Sequence, residues 1–99
     1  MSLSKKQEDD TRRELRENLA RSGVDIAQAA ADLGTTREYL ERVMRLDERR
    51  LEDAWILRNY LIEKVREAGG TPTPFTALAA DHHIIPFLNS AYIDGKKIY

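Results

Sequence analysis

The sequence predicts an all-α fold, a small helical bundle of four to five helices with a short irregular or hairpin C-terminal segment. Three observations support this prediction. Apolar residues recur at helical spacing in several segments, Ser, Asp or Thr stands where such segments begin, and glycines stand where they end. One domain, residues 1–99, is expected to hold helices near 4–22, 26–33, 36–46 and 54–68, a short helix at 75–80 and a final segment 81–99.

The first helix is predicted from its capping residues and a narrow apolar stripe. Ser4 and Gln7 form a capping-box pattern, Leu15 and Leu19 supply the stripe, and Gly23 can end the helix. Most other positions are charged, which is typical of a solvated face with weak ion pairs. The alternative is that one of its arginines meets DNA phosphate: Arg12, Arg13, Arg16 or Arg21.

The second helix and the turn after it are predicted from residues 25–34. Asp25 is a favourable N-cap, and Ala29, Ala30 and Leu33 lie on one apolar face. The two alanines allow another helix to cross at close range. Gly34 follows the last apolar residue, where the chain must take the left-handed conformation that glycine adopts without strain.

A third helix follows this turn at once. Thr35 is expected to cap it, with Glu38 at the matching third position, and Leu40, Val43 and Met44 form its buried face. Two short helices joined by a tight turn resemble the helix-turn-helix of repressor-type DNA-binding domains, whose second helix enters the major groove. The alternative is a plain α-hairpin within a helical bundle.

The resemblance predicts which side chains face DNA. Arginine can read guanine and glutamate can accept a hydrogen bond from cytosine, although two carboxylates on this face would repel phosphates. Residues at the start of the third helix and on its outward face, and just beyond it, are the candidate double-stranded DNA contacts: Thr35, Thr36, Arg37, Glu38, Tyr39, Glu41, Arg42, Arg45 and Arg49. Arg49 and Arg50 would position the domain through phosphate contacts.

Composition limits the possible functions. The chain has 16 basic and 17 acidic residues and a net charge of −1, so DNA binding requires a local basic patch. The rival prediction is a non-enzymatic protein–protein interaction module that keeps the scaffold without DNA contact. The absence of cysteine and of a long apolar run fits a cytoplasmic protein that does not enter membranes.

The fourth predicted helix is unusually apolar. A charged connection, residues 47–52, precedes it, and Asp53 is expected to cap it. Its apolar positions cover more than one face, so it is either the central core element or an interface with a partner. Trp55 and Tyr60 are typical interface anchors, so a homodimer is predicted, through this helix or the C-terminal segment.

The C-terminal third is less regular. Residues 71–74, TPTP, should be extended, and Pro74 can open the short helix 75–80. Asp94 and Gly95 suggest either the turn of a small hairpin or a helical turn that ends at Gly95.

No enzymatic chemistry is predicted, and neither a cofactor nor a metal is expected. Gly69 and Gly70 lack the surroundings of a phosphate-binding loop. Asp81, His82 and His83 are adjacent, whereas metal ligands need a spacing that lets them converge.

Four segments in order carry a family resemblance: MSL at the start, Leu33-Gly34, LEDAWILRNYLIEKV at 51–65 and TPTPFTAL at 71–78. With these segments the chain resembles a small bacterial family, family 2316 of the domains of unknown function. The resemblance implies a helix-turn-helix fold and carries over no activity, operator or ligand. The turn at Gly34 with its two patterned helices favours a transcriptional regulator that binds specific DNA sequences and acts as a homodimer.

Overall fold

Five α-helices and no strand make up the described part of the chain. The computed structural model describes residues 3–47, 50–79 and 90–98. The helices in order are α1 (Lys5–Ser22), α2 (Ile26–Leu33), α3 (Arg37–Met44), α4 (Leu51–Glu67) and α5 (Ser90–Asp94). α4 packs against α1, α3 and α5, while α2 packs against α3. The predicted all-α bundle is confirmed.

α1 begins and ends as its sequence predicts. Ser4 accepts a hydrogen bond from the Gln7 amide while the Gln7 side chain accepts one from the Ser4 amide, and Gly23 takes a left-handed φ of 73°. Its buried face is wider than the predicted stripe, because Glu14 and Asn18 lie inside beside Leu15. A charged residue and an amide are therefore part of the interior.

Those two buried polar side chains hold the connector that follows α4. The Asn18 amide donates to the Thr73 carbonyl oxygen at 3.0 Å, and its oxygen accepts from the Thr73 amide at 2.9 Å. The Glu14 carboxylate accepts from the Thr76 amide at 3.2 Å and from its hydroxyl at 2.8 Å. The connector thus satisfies its backbone groups with α1 side chains, as a strand would with another strand.

The predicted short helix at 75–80 is wrong over residues 75–79, which carry bends and no helix. Phe75 and Leu78 instead point into the core and are almost fully buried. Asn18 binds the backbone of Thr73, and Glu14 binds the amide of Thr76. These tertiary contacts override the local preference of Pro74 for a helix start. Residue 80 lies outside the described residues.

α4 is the central core element. Its buried apolar residues are Ala54, Trp55, Ile56, Leu57, Leu61 and Val65. Trp55 is 2% exposed, so the wide apolar pattern is explained within one chain and leaves no Trp55 surface for the predicted dimer. Burial of α4 against a second chain is therefore not needed to explain its wide apolar pattern.

α4 also starts earlier than predicted, and its predicted cap is wrong. The helix begins at Leu51 with Arg50 as N-cap, and no side chain caps it. Asp53 lies in the first turn, where a carboxylate interacts favourably with the positive end of the helix. It is fully buried and accepts hydrogen bonds from the hydroxyls of Tyr39 and Tyr92.

The described C-terminal residues form a helical turn and not a hairpin. α5 ends at Asp94, and the Gly95 amide donates to the Tyr92 carbonyl at 3.2 Å. Ile93 and Ile98 are buried, and the Ile98 amide donates to the Leu33 carbonyl at 2.8 Å. The predicted helical turn ending at Gly95 is confirmed. Most of the remaining C-terminal segment, residues 80–89 and 99, lies outside the described residues.

Candidate nucleic-acid interface

The turn between α2 and α3 is built from local signals. The Asp25 carboxylate accepts from the Gln28 amide at 2.8 Å, and Gly34 takes a left-handed φ of 74°. The Thr35 amide donates to the Ala30 carbonyl at 3.0 Å, which closes the turn. Ala30 is 3% exposed on the face that α3 crosses. The predicted end of α2 at Gly34 is therefore confirmed.

The cap of α3 differs by one residue from the prediction. Thr36, and not Thr35, is the N-cap, and its hydroxyl accepts from the Tyr39 amide at 3.1 Å. Glu38 then occupies the second helical position, where its charge favours the helix N-terminus without closing a capping box. Thr35 is half-buried within the turn, while Thr36 is exposed.

The outward face of α3 lies where helical periodicity predicts it. Arg37, Glu38, Arg42 and Arg45 are exposed, and Glu41 is half-buried. Leu40 and Val43 are fully buried against the core, with Met44 partly covered. One side of α3 thus packs against the core, and the other side exposes polar side chains to solvent.

Tyr39 does not belong to this face. Its side chain is 9% exposed, and its hydroxyl donates to the buried carboxylate of Asp53. Position 39 precedes Val43 by four residues, so both side chains lie on the core side of the helix. Tyr39 is therefore removed from the predicted DNA contacts. Arg49 lies outside the described residues.

Charges of both signs alternate on the α3 surface. Arg37 Nε lies 3.5 Å from a carboxylate oxygen of Glu41, and Arg42 Nε lies 3.6 Å from a carboxylate oxygen of Asp47. Arg50, expected to meet phosphate, stacks 3.9 Å from the Tyr92 ring centre and donates to its hydroxyl at 2.9 Å. The described surface of α3 is therefore a patchwork of both signs and not a continuous positive stripe.

A groove of about 320 Å³ runs between α1 and the end of α3 and carries a more basic cluster. Its arginines are Arg12, Arg16 and Arg45, and Glu41 lies at the same groove. Arg12 donates to the Arg45 carbonyl at 3.4 Å and pairs with Asp9. Among the described residues, no carboxylate pairs with the side chains of Arg16 or Arg45. The basic patch therefore joins two helices that are distant in sequence.

The remaining arginines of α1 are engaged elsewhere, Arg13 in a local ion pair as predicted and Arg21 with a distant backbone carbonyl. Arg13 lies 3.3 Å from a carboxylate oxygen of Glu17, and Arg21 donates to the Thr71 carbonyl at 3.1 Å. The sequence does not separate these arginines from Arg12 and Arg16, because only the packing of α1 on α3 decides which of them reach the groove.

The described residues contain neither a metal site nor a membrane-spanning helix. Among the described residues, no group of three His, Asp or Glu side chains could hold a metal ion. The adjacent Asp81, His82 and His83 lie outside those residues. None of the helices in residues 3–47, 50–79 and 90–98 is long and apolar enough to cross a membrane.

Comparison with known proteins places the chain in a family. The model of an uncharacterised protein family conserved in bacteria (DUF2316) matches residues 1–89. No curated protein matches the chain, and no solved structure matches it. α5 begins just after the matched residues. Because the match covers most of its length, the chain belongs to this bacterial family of uncharacterised proteins.

Proposed function

We propose that the protein binds duplex DNA with the outward face of α3 and acts as a transcriptional regulator. The observation that carries this proposal is that Arg37, Glu38, Arg42 and Arg45 are exposed along one short helix. This helix follows the left-handed turn at Gly34. A helix of this kind fits the major groove, where arginine and glutamate side chains can read base edges. α3 is the proposed reading helix.

The groove between α1 and α3 supplies the proposed phosphate contacts. Arg16 and Arg45 have no carboxylate partner among the described residues, so their charges are available to a phosphate. Arg12 would exchange its pair with the exposed Asp9 for phosphate at little cost, since ion pairs that reach solvent contribute little to stability. The pairs of Arg37 and Arg42 on α3 are exposed as well and can open in the same way.

Salt dependence tests this proposal directly. Fluorescence anisotropy on pooled random duplexes should show binding at about 50 mM salt that weakens steadily as salt rises. Three phosphate contacts predict a slope of log affinity against log salt of about −2.7. The double variant Arg16→Ala, Arg45→Ala should flatten that slope by about 1.8. Arg66→Ala on α4 is the matched control, because this exposed arginine lines a different groove.

Sequence preference tests the reading helix separately. Replacing both Arg37 and Arg42 with Ala should weaken binding and change which sequences are selected from the pool. If affinity and preference stay unchanged, α3 is not the reading helix. If the wild-type protein shows no binding at about 50 mM salt, the DNA proposal fails as a whole.

A homodimer is part of the proposal, since regulators of this kind bind paired half-sites. With Trp55 in the core, the remaining predicted contacts are the half-buried Tyr60 of the same helix and the C-terminal segment. Light scattering should give twice the chain mass at micromolar concentration, and the two α3 helices should stand about 34 Å apart. A monomer at that concentration and above contradicts this part.

The second candidate is a protein–protein interaction module. The alternating signs of Arg37, Glu41, Arg42 and Asp47 favour it, because paired charges suit a protein surface better than a polyphosphate. In this case duplex DNA should not bind at about 50 mM salt. A bacterial partner should instead be retained by the wild-type protein and lost by Met44→Glu, which places a charge at the groove beside α3.

A further inference from the structure

A second cleft, of about 360 Å³, opens between the end of α2, one side of α4 and the C-terminal residues. Leu33, Ile56 and Ile93 lie beneath it and are almost fully buried, so the accessible apolar surface comes from the Tyr60 ring and the alkyl chains of the lysines. Its rim carries three lysines, Lys64, Lys96 and Lys97, against the two carboxylates of Asp32 and Glu63. Lys64 is paired with Glu67 at 3.2 Å, which leaves Lys96 and Lys97 to meet a small molecule with an apolar body and a negative end.

The carboxylate of Asp32 is already engaged by protein groups. It accepts from the Tyr60 hydroxyl at 2.6 Å and from the Gln28 side chain at 2.8 Å. These hydrogen bonds, that of Tyr60 first, lower the pKa of Asp32 below its ordinary value. Each of its oxygens thus accepts one hydrogen bond, and the charges of Lys64 and Lys97 add a smaller attraction.

The lysines retain capacity for an anion. Lys97 donates to the neutral Asp32 carbonyl at 2.7 Å, so its charge is not consumed by that hydrogen bond. Lys96 lies 3.8 Å from Glu63 in a pair whose side chains are both more than half exposed, and such pairs exchange partners readily. Both ammonium groups can therefore turn toward a ligand carboxylate without leaving a buried charge unpaired.

The backbone at Lys96 places this lysine at the rim of the cleft. Lys96 has a φ of 59°, in the left-handed region that favours glycine, although a glycine stands next to it at position 95. Leu46 has the same φ after α3, so in this fold the conformation serves to end a helix. At Lys96 it returns the chain to α2, where the Ile98 amide binds the Leu33 carbonyl. Glycine at position 96 would make the same turn with less strain, and what lysine adds here is its charge.

We propose that this cleft binds a small amphipathic anion, an aromatic or aliphatic carboxylate. The apolar body would lie against the Tyr60 ring and the alkyl chains of the lysines, above the buried Leu33 and Ile56, and the carboxylate would face Lys96 and Lys97. The site goes beyond the proposed function, and its occupation does not depend on DNA binding. Because Leu33 also ends α2, a ligand there would contact the residues that hold the turn before α3.

Salicylate is the probe for a test by nuclear magnetic resonance, with salicylamide as its neutral analogue. Titration of the ¹⁵N-labelled protein with salicylate should shift the amide signals of Leu33, Asn59, Lys96 and Lys97 in a saturable way. Salicylamide should bind at least threefold more weakly, as expected for the loss of one exposed charge contact. Shifts that fail to saturate, that spread over the whole surface or that are equal for both compounds overturn the proposal.

Lys96→Gly separates binding from folding. It should raise the melting temperature, because the strain at position 96 is relieved, and weaken salicylate binding about threefold. Lys97→Ala should also weaken binding about threefold. Lys6→Ala is the matched control, since that exposed lysine pairs with Asp10 on α1 and should leave salicylate binding unchanged. Wild-type affinity in both cleft variants would overturn the assignment.

Discussion

Replacing Asp53 with Ala should destabilise the protein more than any other single removal of a carboxylate among the described residues. Asp53 is fully buried in the first turn of α4 and accepts from the hydroxyls of Tyr39 on α3 and Tyr92 on α5. Arg50 lies 3.7 Å from the same carboxylate. Three helices, α3, α4 and α5, therefore meet at one side chain.

The size of the effect follows from these contacts. A hydrogen bond to a charged group contributes about 1.5–3 kcal/mol to stability. Tyr39 is buried and its hydroxyl loses this hydrogen bond, whereas Tyr92 is half-buried and can recover part of its hydrogen bonding from water. We expect Asp53→Ala to lower the free energy of unfolding by about 3–4 kcal/mol. Tyr39→Phe, which removes one donor and keeps the ring, should cost about 1.5 kcal/mol.

Urea unfolding followed by the fluorescence of Trp55, the only tryptophan, measures these values. The double variant of Asp53→Ala with Tyr39→Phe should be more stable than the sum of the single changes predicts, by about 1–2 kcal/mol, because both remove the same hydrogen bond. Asp47→Ala is the control, since that carboxylate is exposed, and it should change stability by less than about 0.5 kcal/mol. A cost below about 1 kcal/mol for Asp53→Ala, or strict additivity with Tyr39→Phe, would refute the reasoning.

Three further changes test other parts of the fold. Gly34→Ala should lower the unfolding free energy by about 1 kcal/mol, since φ is 74° there, and an unchanged urea midpoint would contradict this. Asn18→Ala should cost about 2 kcal/mol because both backbone groups of Thr73 lose their partner, and faster proteolysis within 71–76 than in wild type should accompany it; equal cleavage counts against the account. Tyr60→Phe tests pH dependence. The hydrogen bond of Tyr60 lowers the pKa of Asp32, which adds stability above about pH 4 that is lost in acid. Burial and then that hydrogen bond raise the pKa of Tyr60, which adds stability below about pH 10 that is lost in alkali. The difference in unfolding free energy between wild type and Tyr60→Phe should therefore peak between these limits, and a difference that is constant with pH would be inconsistent with this hydrogen bond.

Local signals were sufficient for the α2–α3 turn and for the choice of the exposed side of α3. Asp25 and Gly34 act on backbone within a few residues, so their effects can be read from the sequence. The outward positions of α3 follow from the helical period, and Arg37, Arg42 and Arg45 are exposed as predicted. Tyr39 is placed among the predicted contacts because it lies near the start of α3, whereas its four-residue spacing from Val43 indicates the core.

The errors share a cause in contacts between distant residues. Asp53 looks like a helix cap because aspartate often binds nearby amides, yet two tyrosines from other helices bind its carboxylate. The segment 75–79 looks helical after Pro74, yet two residues of α1 hold the backbone here. Asn18 binds Thr73 from 55 positions away, and Glu14 binds Thr76 from 62 positions away. Residues that are distant in sequence also form the groove between α1 and α3 and the cleft between α2, α4 and the C-terminal residues.

By itself, the sequence determined the helical class, the ends of α1 and α2, and the exposed face of α3. These features depend on capping groups, glycine conformations and apolar spacing, all of which act within one or two turns of helix. Only the tertiary structure decided that Trp55 is interior, that α1 adds Arg12 and Arg16 to the edge of α3, and that Lys96 lies at a cleft. The positions of these side chains depend on how whole helices pack, and the free energy of that packing is shared among residues far apart in the chain.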